Sequence, residues 1–143
     1  MELSILLIED NPANQEELRK AFLEVEPALE FEVKPDHVSG LRDADKKNYN
    51  LIFVDYEIAG EKADQEMVKK FREASRESYI LLISSFPKKL IFEEQPALKE
   101  VPFLQKPFLD REIRQIVKLL EQHPFRTEDN AEAVRKKLGR ILD

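Results

Sequence analysis

The chain has 143 residues, of which 42% are hydrophobic and 36% are charged, and this balance is typical of one soluble globular domain. The net charge of −6 argues against a general binder of nucleic acid or anionic membranes. The absence of cysteine excludes disulfides, thiolate metal sites and cysteine nucleophiles.

Five apolar runs predict the strands of an α/β protein. They are LSILLIE at 3–9, FEVK at 31–34, LIFVD at 51–55, YILLIS at 79–84 and VPFLQ at 101–105. Three of the runs are nearly continuous, which is typical of strands that are covered on both faces of a parallel sheet. None approaches the ~20 apolar residues of a membrane span, and the start of the chain does not resemble a signal peptide. We therefore expect a doubly wound α/β sheet in a cytoplasmic protein that does not contact a membrane.

Helical patterns lie between the apolar runs. Apolar residues at helical spacing follow the first, third and fifth runs: Leu18, Phe22 and Val25, then Met67, Phe71 and Ala74, then Ile113, Ile116, Val117 and Leu120. Asn11 and Pro12 form a favourable cap and first-turn pair for the first helix. In the stretch 87–100 we expect a helix around Leu90 that Pro96 interrupts or ends.

The last segment predicts a helix beyond the strand–helix alternation. We divide the chain into a domain at 1–123 and a helical extension at 124–143. Thr127 or Asp129 is expected to cap this helix. One face would carry Val134, Leu138 and Ile141. The extension is expected to pack on its own domain or on a second copy; the alternatives are a linker to an output domain and a nucleic-acid contact.

The third run ends in a carboxylate that needs a partner. Burying an unpaired carboxylate is costly, so Asp55 requires water, a cation or a chemical role. The carboxyl ends of parallel strands share one edge of a sheet, where ligands bind. The polar residues that follow the first, third, fourth and fifth runs are Glu9, Asp10, Asp55, Glu57, Ser84, Ser85 and Lys106. Each alone fits a solvated turn or a helix cap, but together they are suited to hold Mg²⁺ beside a phosphoryl group.

Four segments resemble the response regulator receiver domain of two-component signalling, and the resemblance covers about residues 3–122. They are IEDN at 8–11, LIFVDYEIAG at 51–60, LLISS at 81–85 and FLQKPF at 103–108. The resemblance implies a flavodoxin-like fold with a five-stranded parallel sheet in the order 2-1-3-4-5 and helices on both faces. The extra C-terminal helix would be added to it.

The resemblance also implies a metal site. Asp55 would be the phosphoacceptor and would contact Mg²⁺ together with Asp10. Glu9 would hold or orient metal-bound water, and Glu57 would offer its backbone carbonyl to the ion.

The remaining implied roles concern the phosphoryl group and the switch. Ser84 and Lys106 would hold the phosphoryl oxygens, and movement of Ser84 would let Phe103 change rotamer. Phe103 stands where tyrosine is commoner in the family, so its signal would depend on packing alone. Ile58-Ala59 replaces the usual Met-Pro after the phosphoacceptor.

The resemblance implies a signalling module that catalyses only its own phosphorylation and dephosphorylation. Its partners would be a sensor histidine kinase or phosphotransfer protein. A homodimer or output protein would bind the face of the fourth helix, fifth strand and fifth helix, and the chain itself would bind no nucleic acid. One alternative is a pseudo-receiver, which acts without phosphorylation. Another is an aspartyl-phosphate hydrolase, because Asp55-Tyr56-Glu57 faintly resembles the Asp-x-Asp motif of those enzymes.

His37 and His123 are expected at the surface.

Overall fold

The computed structural model describes residues 2–143 as seven strands, six α-helices and one 3₁₀ helix. The strands are β1 (Ser4–Ile8), β2 (Glu30–Lys34), β3 (Leu51–Asp55), β4 (Glu57–Ile58), β5 (Glu61–Lys62), β6 (Tyr79–Ser84) and β7 (Phe103–Gln105). The α-helices are α1 (Pro12–Val25), α2 (His37–Lys46), α3 (Gln65–Ala74), α4 (Lys88–Glu94), α5 (Asp110–Gln122) and α6 (Ala131–Leu142). The 3₁₀ helix spans Pro96–Glu100.

Five strands form one parallel sheet in the order β2-β1-β3-β6-β7. Without the small β4–β5 hairpin this is the order 2-1-3-4-5, so the predicted flavodoxin-like receiver fold is confirmed. The order reverses direction at β1 and β3, and the carboxyl ends of these two strands therefore border the crevice where such sheets bind ligands.

The sheet separates two apolar layers, as the nearly continuous runs predict. Alternate residues of β1 point to opposite sides: Ile5 and Leu7 pack with α1, α5 and α6, whereas Leu6 and Ile8 pack with α2, α3 and α4. All five residues of β3 and all six of β6 are buried. Burial on both faces explains why these runs carry no polar alternation.

Local capping sets the start of the first two helices. Asn11 Oδ1 accepts a hydrogen bond from Asn14 N at 3.0 Å, which confirms the predicted cap of α1. Asp36 Oδ1 accepts from Ser39 N at 2.7 Å and caps α2, which has no clear apolar period. A Cβ atom at Gly40 would overlap the Ile8 side chain, so only glycine lets α2 approach the sheet this closely.

The stretch 87–100 also follows its prediction. Helix α4 ends at Glu94, and Pro96 begins the 3₁₀ helix after it, because a proline cannot donate the next helical hydrogen bond. Ile58-Ala59, which stand where the resemblance implies Met-Pro, belong to a two-stranded antiparallel hairpin, β4–β5. Ala59 and Gly60 form its turn with φ values of 53° and 82°. Positive φ is unfavourable for alanine, and such two-residue turns normally carry Asn-Gly.

Helix α6 packs on the core of the same chain. Val134 and Leu138 are buried as predicted. The third predicted residue, Ile141, is only half-buried, and its neighbour Leu142 is buried instead. Thr127 Oγ1 accepts from Asn130 N at 3.2 Å, and Thr127 N donates to Asn130 Oδ1 at 2.9 Å, so these two residues hold the turn before the helix. The N-cap residue of α6 is Asn130, and no side chain caps the helix, so the expectation that Thr127 or Asp129 caps it is wrong.

The position of α6 changes the face that the sequence predicts for partners. Its apolar side chains join the cluster of α5, and its contacts extend to β7, the edge strand of the sheet. Lys88 Nζ of α4 donates to Leu142 O at 2.5 Å, and Arg135 pairs with Glu100 at 3.1 Å. Helix α6 therefore lies across the face formed by α4, β7 and α5. No helix within residues 2–143 has the length and apolar character to cross a membrane.

Candidate functional site

A cleft of about 360 Å³ opens at the carboxyl edge of the sheet. It is lined by Glu9, Asp10, Asn11, Asn14, Asp55, Glu57, Ala59, Gly60, Ser84, Ser85, Phe86 and Lys106. The polar residues that the sequence places after four separate strands therefore meet in one cavity. Among the predicted site residues, only Phe103 does not line it.

Three carboxylates converge in this cleft. One oxygen each from Glu9, Asp10 and Asp55 lies within 4.8 Å of the others. Glu9 and Asp55 are only 2% and 7% exposed, whereas Asp10 is open to solvent. Carboxylates this close repel one another, and the repulsion is strongest where water is excluded. The cluster is therefore an arrangement that a hard divalent cation would stabilise.

Lys106 supplies a positive charge between the two buried carboxylates. Its Nζ lies 3.4 Å from Asp55 Oδ2 and 3.5 Å from Glu9 Oε1. The lysine follows β7, so the loop after the edge strand brings this amine to the carboxyl ends of β1 and β3. One ammonium offsets only part of the charge of three carboxylates.

The environment of Glu9 fits a bound ion. Asn14 Nδ2 donates to Glu9 Oε1 at 2.7 Å, and Gln15 Nε2 donates to the Glu9 backbone oxygen at 2.6 Å. The second carboxylate oxygen, Oε2, is buried without a hydrogen-bond partner among the described residues. A buried carboxylate oxygen without a partner is costly, and Glu9 belongs to a cluster of carboxylates of the kind that Mg²⁺ prefers. The sequence pattern did not predict these contacts of Asn14 and Gln15, although their place in the first turns of α1 puts them next to the acidic pair.

Asp55 is held through its side chain and its backbone. Glu57 N donates to Asp55 Oδ1 at 3.2 Å, which leaves Oδ2 toward Lys106. His37 Nε2 lies 3.2 Å from the backbone oxygen of Asp55, beyond the last residue that β1 pairs with β3.

The expectation that His37 lies at the surface is wrong. Its side chain is 7% exposed because Asp36 caps α2 and turns the next residue toward the end of β3. Burial lowers the pKa of the His37 imidazole, against the opposing charges of Glu61, Asp36 and Asp10. Since a carbonyl oxygen only accepts, Nε2 carries the proton and donates to Asp55. His123 is half-buried rather than fully exposed.

We predict that His37→Leu destabilises the protein by about 1–3 kcal/mol, because the Asp55 carbonyl loses its donor in a buried place. His37→Gln, whose amide can donate from a similar position, should recover most of this loss. Urea unfolding monitored by circular dichroism measures both changes. Equal stability of the leucine and glutamine variants would mean that the hydrogen bond contributes nothing and that only packing matters.

Ser84 ends β6 at the inner wall of the cleft. Its Oγ accepts from Phe86 N at 2.9 Å, which leaves the hydroxyl proton free to donate toward the cavity. Ser84 is 2% exposed, whereas Phe86 is 43% exposed at the rim. The hydroxyl is therefore fixed in place by its own loop.

Phe103 lies behind the cleft in an aromatic row. It is buried, with its ring centroid 6.2 Å from that of Tyr56 and 5.6 Å from that of Phe92. The ring of Tyr56 in turn packs edge-on against that of the rim residue Phe86, with 6.3 Å between the ring centroids. Tyr56 directly follows Asp55, so this row connects the cleft to α4. The sequence did not indicate this role for Tyr56, because an aromatic residue after a strand is usually only part of the core.

The sequence matches the response regulator receiver domain family over residues 5–118. Together with the fold and the acidic cleft, this match defines the class of the protein. The chain belongs to the response regulator receiver domain family of two-component signalling. No curated protein sequence matches it significantly.

Solved receiver structures share this fold. Chemotaxis protein CheY4 of Vibrio cholerae is 20% identical with a TM-score of 0.66, and the match covers 86% of this chain and 99% of that one. Response regulator TrrA of Thermotoga maritima, in complex with Mg²⁺-BeF, is 21% identical with a TM-score of 0.67, covering 82% and 98%. The receiver domain of a Pseudomonas aeruginosa sensor histidine kinase, with a magnesium ion in its cleft, is 21% identical with a TM-score of 0.66, covering 82% and 96%. At these identities the likeness shows the fold.

Proposed function

We propose that the protein is a phosphoacceptor receiver that takes a phosphoryl group onto Asp55. The observation that carries the proposal is the position of the Lys106 amine, 3.4 Å from Asp55 and 3.5 Å from Glu9, at the mouth of a three-carboxylate cluster. A nucleophilic carboxylate, a fixed cation and a set of metal-ligand oxygens are the parts that phosphoryl transfer requires.

In the proposed reaction a carboxylate oxygen of Asp55 attacks the phosphorus of a phosphohistidine or a small acyl phosphate. A new P–O bond forms while the bond from phosphorus to the donor atom breaks, and the donor leaves with the electron pair. Lys106 neutralises charge on the transferred group, and the Ser84 hydroxyl donates to one of its oxygens. Glu57 N, already bonded to Asp55 Oδ1, keeps the carboxylate in position for attack.

Mg²⁺ is the metal that the donor set fits. Asp10 and Asp55 would hold it directly, Glu9 would hold or orient its water, and Glu57 would contribute its backbone carbonyl. When bound, the ion supplies charge neutralisation to the phosphoryl oxygens and to the carboxylates. The unpartnered Oε2 of Glu9 supports this assignment, since a metal-bound water would satisfy it.

We propose that the switch runs from Ser84 through the aromatic row to the face covered by α6. Movement of Ser84 toward a new phosphoryl group would also move Phe86, which is bonded to it and contacts Tyr56. Phe103 would respond through Tyr56 by repacking alone. Phe103 is the first residue of β7, and α6 packs beside this strand. A changed rotamer of Phe103 would therefore alter the surface on which α6 packs.

The proposed partners are a sensor histidine kinase or a phosphotransfer protein, and an output protein or second copy that binds the face of α4, β7 and α5 when α6 is displaced from it. Phe86 is exposed at the rim of the cleft, and Leu90 of α4 and Leu109 at the start of α5 are also exposed, so these side chains could offer apolar contacts to a partner. We assign the receiver to 1–123 and the α6 extension to 124–143. In this assignment the protein acts in the cytoplasm as a signalling module, not as a turnover enzyme.

Acetyl phosphate with Mg²⁺ tests the proposal directly. Intact mass measurement should show one added phosphoryl group on the unmodified protein and on Asp45→Asn, an exposed carboxylate control outside the cleft. Asp55→Asn and the protein in EDTA should show none. Absence of an adduct on the unmodified, folded protein in Mg²⁺ would favour the pseudo-receiver, which uses the same fold without phosphorylation.

A further inference from the structure

Three arginines converge on a second cavity at the opposite end of the sheet. The cavity has a volume of about 210 Å³ and lies at the amino ends of β6 and β7, between the core and α6. Arg72 comes from α3, Arg126 from the segment between α5 and α6, and Arg135 from α6 itself. The volume is room for about seven water molecules, which suits a small ligand.

The positive charge of this cavity is only partly neutralised within residues 2–143. Arg135 is paired with Glu132 at 2.5 Å and with Glu100 at 3.1 Å. Arg72 and Arg126 form no ion pair with any carboxylate of that range. Glu132 also lines the cavity, but its carboxylate is paired with Arg135, so the half-buried guanidinium groups of Arg72 and Arg126 share the cavity without a carboxylate partner of their own. Such groups are rarely placed together out of water unless a negative charge joins them.

The pKa shifts of these arginines report the same crowding. Burial lowers the pKa of Arg72, and the nearby charge of Arg135 lowers it further. Burial likewise lowers the pKa of Arg126, with an added effect from Arg72. The three groups are therefore close enough to feel one another, and a bound anion would relieve both the repulsion and the cost of burial.

Arg126 also has a structural role. Its Nε donates to Ser78 O at 2.8 Å and one Nη2 hydrogen donates to Arg72 O at 3.3 Å. These bonds fix the guanidinium plane at the wall of the cavity and use two of its five donors. The remaining donors are preorganised for a ligand, which lowers the entropy cost of binding.

The lining of the cavity is both polar and apolar. Tyr79, Ile80 and Leu138 line it together with the arginines, and the Tyr79 hydroxyl already donates to Phe125 O at 3.0 Å. A ligand that matches this lining carries a compact anion and a short apolar group. Two guanidinium groups can share a tetrahedral phosphate, which has three terminal oxygens, better than a planar carboxylate, which matches one guanidinium.

We propose that this cavity binds a small phosphate monoester, with its phosphate between Arg72 and Arg126 and its apolar substituent against Tyr79 and Leu138. The site is separate from the Asp55 cleft and does not depend on phosphorylation there. Because α3 and α6 both contribute lining residues, the ligand would connect α6 to the core.

The test is a titration of the full chain with phenyl phosphate, in EDTA and at constant ionic strength, followed by ¹H–¹⁵N spectra of the arginine Nε–H groups. The signals of Arg72 and Arg126 should shift and saturate with one common dissociation constant. Arg72→Gln should weaken binding about tenfold or more, since a charge-assisted contact is lost. Arg76→Gln, an exposed arginine of the loop after α3 that does not line the cavity, should bind as the unmodified protein does.

Two further arms complete the test. Phenylacetate should bind at least tenfold more weakly than phenyl phosphate; equal binding would overturn the preference for phosphate. Arg72→Lys, which keeps the charge without the planar donor pair, should bind with intermediate affinity, and backbone amide spectra confirm that each variant is folded. The proposal is overturned if the arginine signals drift without saturating, if only Lys106 and its neighbours respond, or if Arg76→Gln loses as much affinity as Arg72→Gln.

Discussion

Replacing Lys106 with methionine is expected to slow phosphorylation of Asp55 by acetyl phosphate about 10²–10³-fold, the usual cost of removing one preorganised group that stabilises transition-state charge. Methionine keeps much of the side-chain volume but removes the ammonium that lies 3.4 Å from Asp55 Oδ2. The rate of adduct formation, followed by intact mass in saturating Mg²⁺, measures the effect. Lys118→Met, on the exposed side of α5, is the matched control and should leave the rate unchanged.

The same substitution should strengthen Mg²⁺ binding although it slows phosphorylation. The Lys106 amine lies beside the proposed ligand Asp55 and beside Glu9, which would hold or orient metal-bound water, so its loss should tighten Mg²⁺ binding about tenfold. Slower phosphorylation with tighter metal binding is a combination that general unfolding does not produce. An unchanged rate in Lys106→Met would remove the lysine from the proposed mechanism.

Mg²⁺ is expected to raise the melting temperature of the protein by roughly 10 °C at a hundredfold excess over its dissociation constant. Mass action gives about 2.7 kcal/mol of added stability under that condition. A domain of 143 residues gains a few degrees per kcal/mol. The physical source is the relief of repulsion among three carboxylates that lie within 4.8 Å. Thermal unfolding with and without Mg²⁺, followed by circular dichroism, measures the shift.

Asp10→Asn separates metal binding from general stabilisation by ions. Without Mg²⁺ this variant should melt at or above the temperature of the unmodified protein, because one of the mutually repelling charges is gone. With Mg²⁺ it should gain little, because a proposed ligand is lost. Asp45→Asn, away from the cleft, should keep the full response. A similar Mg²⁺ response in all three proteins would contradict a site at Asp10.

The site could be predicted because its predicted polar residues lie at the carboxyl end of a strand or directly after it. Once β1, β3, β6 and β7 are recognised as parallel, their carboxyl ends must share an edge, and the side chains that follow them must meet. Glu9, Asp55, Ser84 and Lys106 therefore needed only correct strand assignments to be placed together. Their chemical roles remain predictions that the experiments above test.

Residues that reach the site from helices were harder to foresee. Asn14 and Gln15 contact Glu9, and His37 contacts the Asp55 backbone, only because α1 and α2 pack at particular angles on the sheet. The need for glycine at position 40 also depends on helix packing, because it arises from the close approach of α2 to Ile8. Helix packing angles follow from side chains distant in sequence, so a local pattern does not contain them.

By itself, the sequence determined the parallel α/β fold, the interruption of the fourth helix at Pro96 and the polar groups delivered to one edge of the sheet. These follow from local apolar pattern, from proline chemistry and from the direction of parallel strands. Only the tertiary structure decided that α6 covers the face of α4, β7 and α5, that His37 is buried, and that Arg72 and Arg126 share a cavity. Each of these depends on contacts between segments far apart in the chain, and the periodicity of a single segment shows which face is apolar but not what that face will meet.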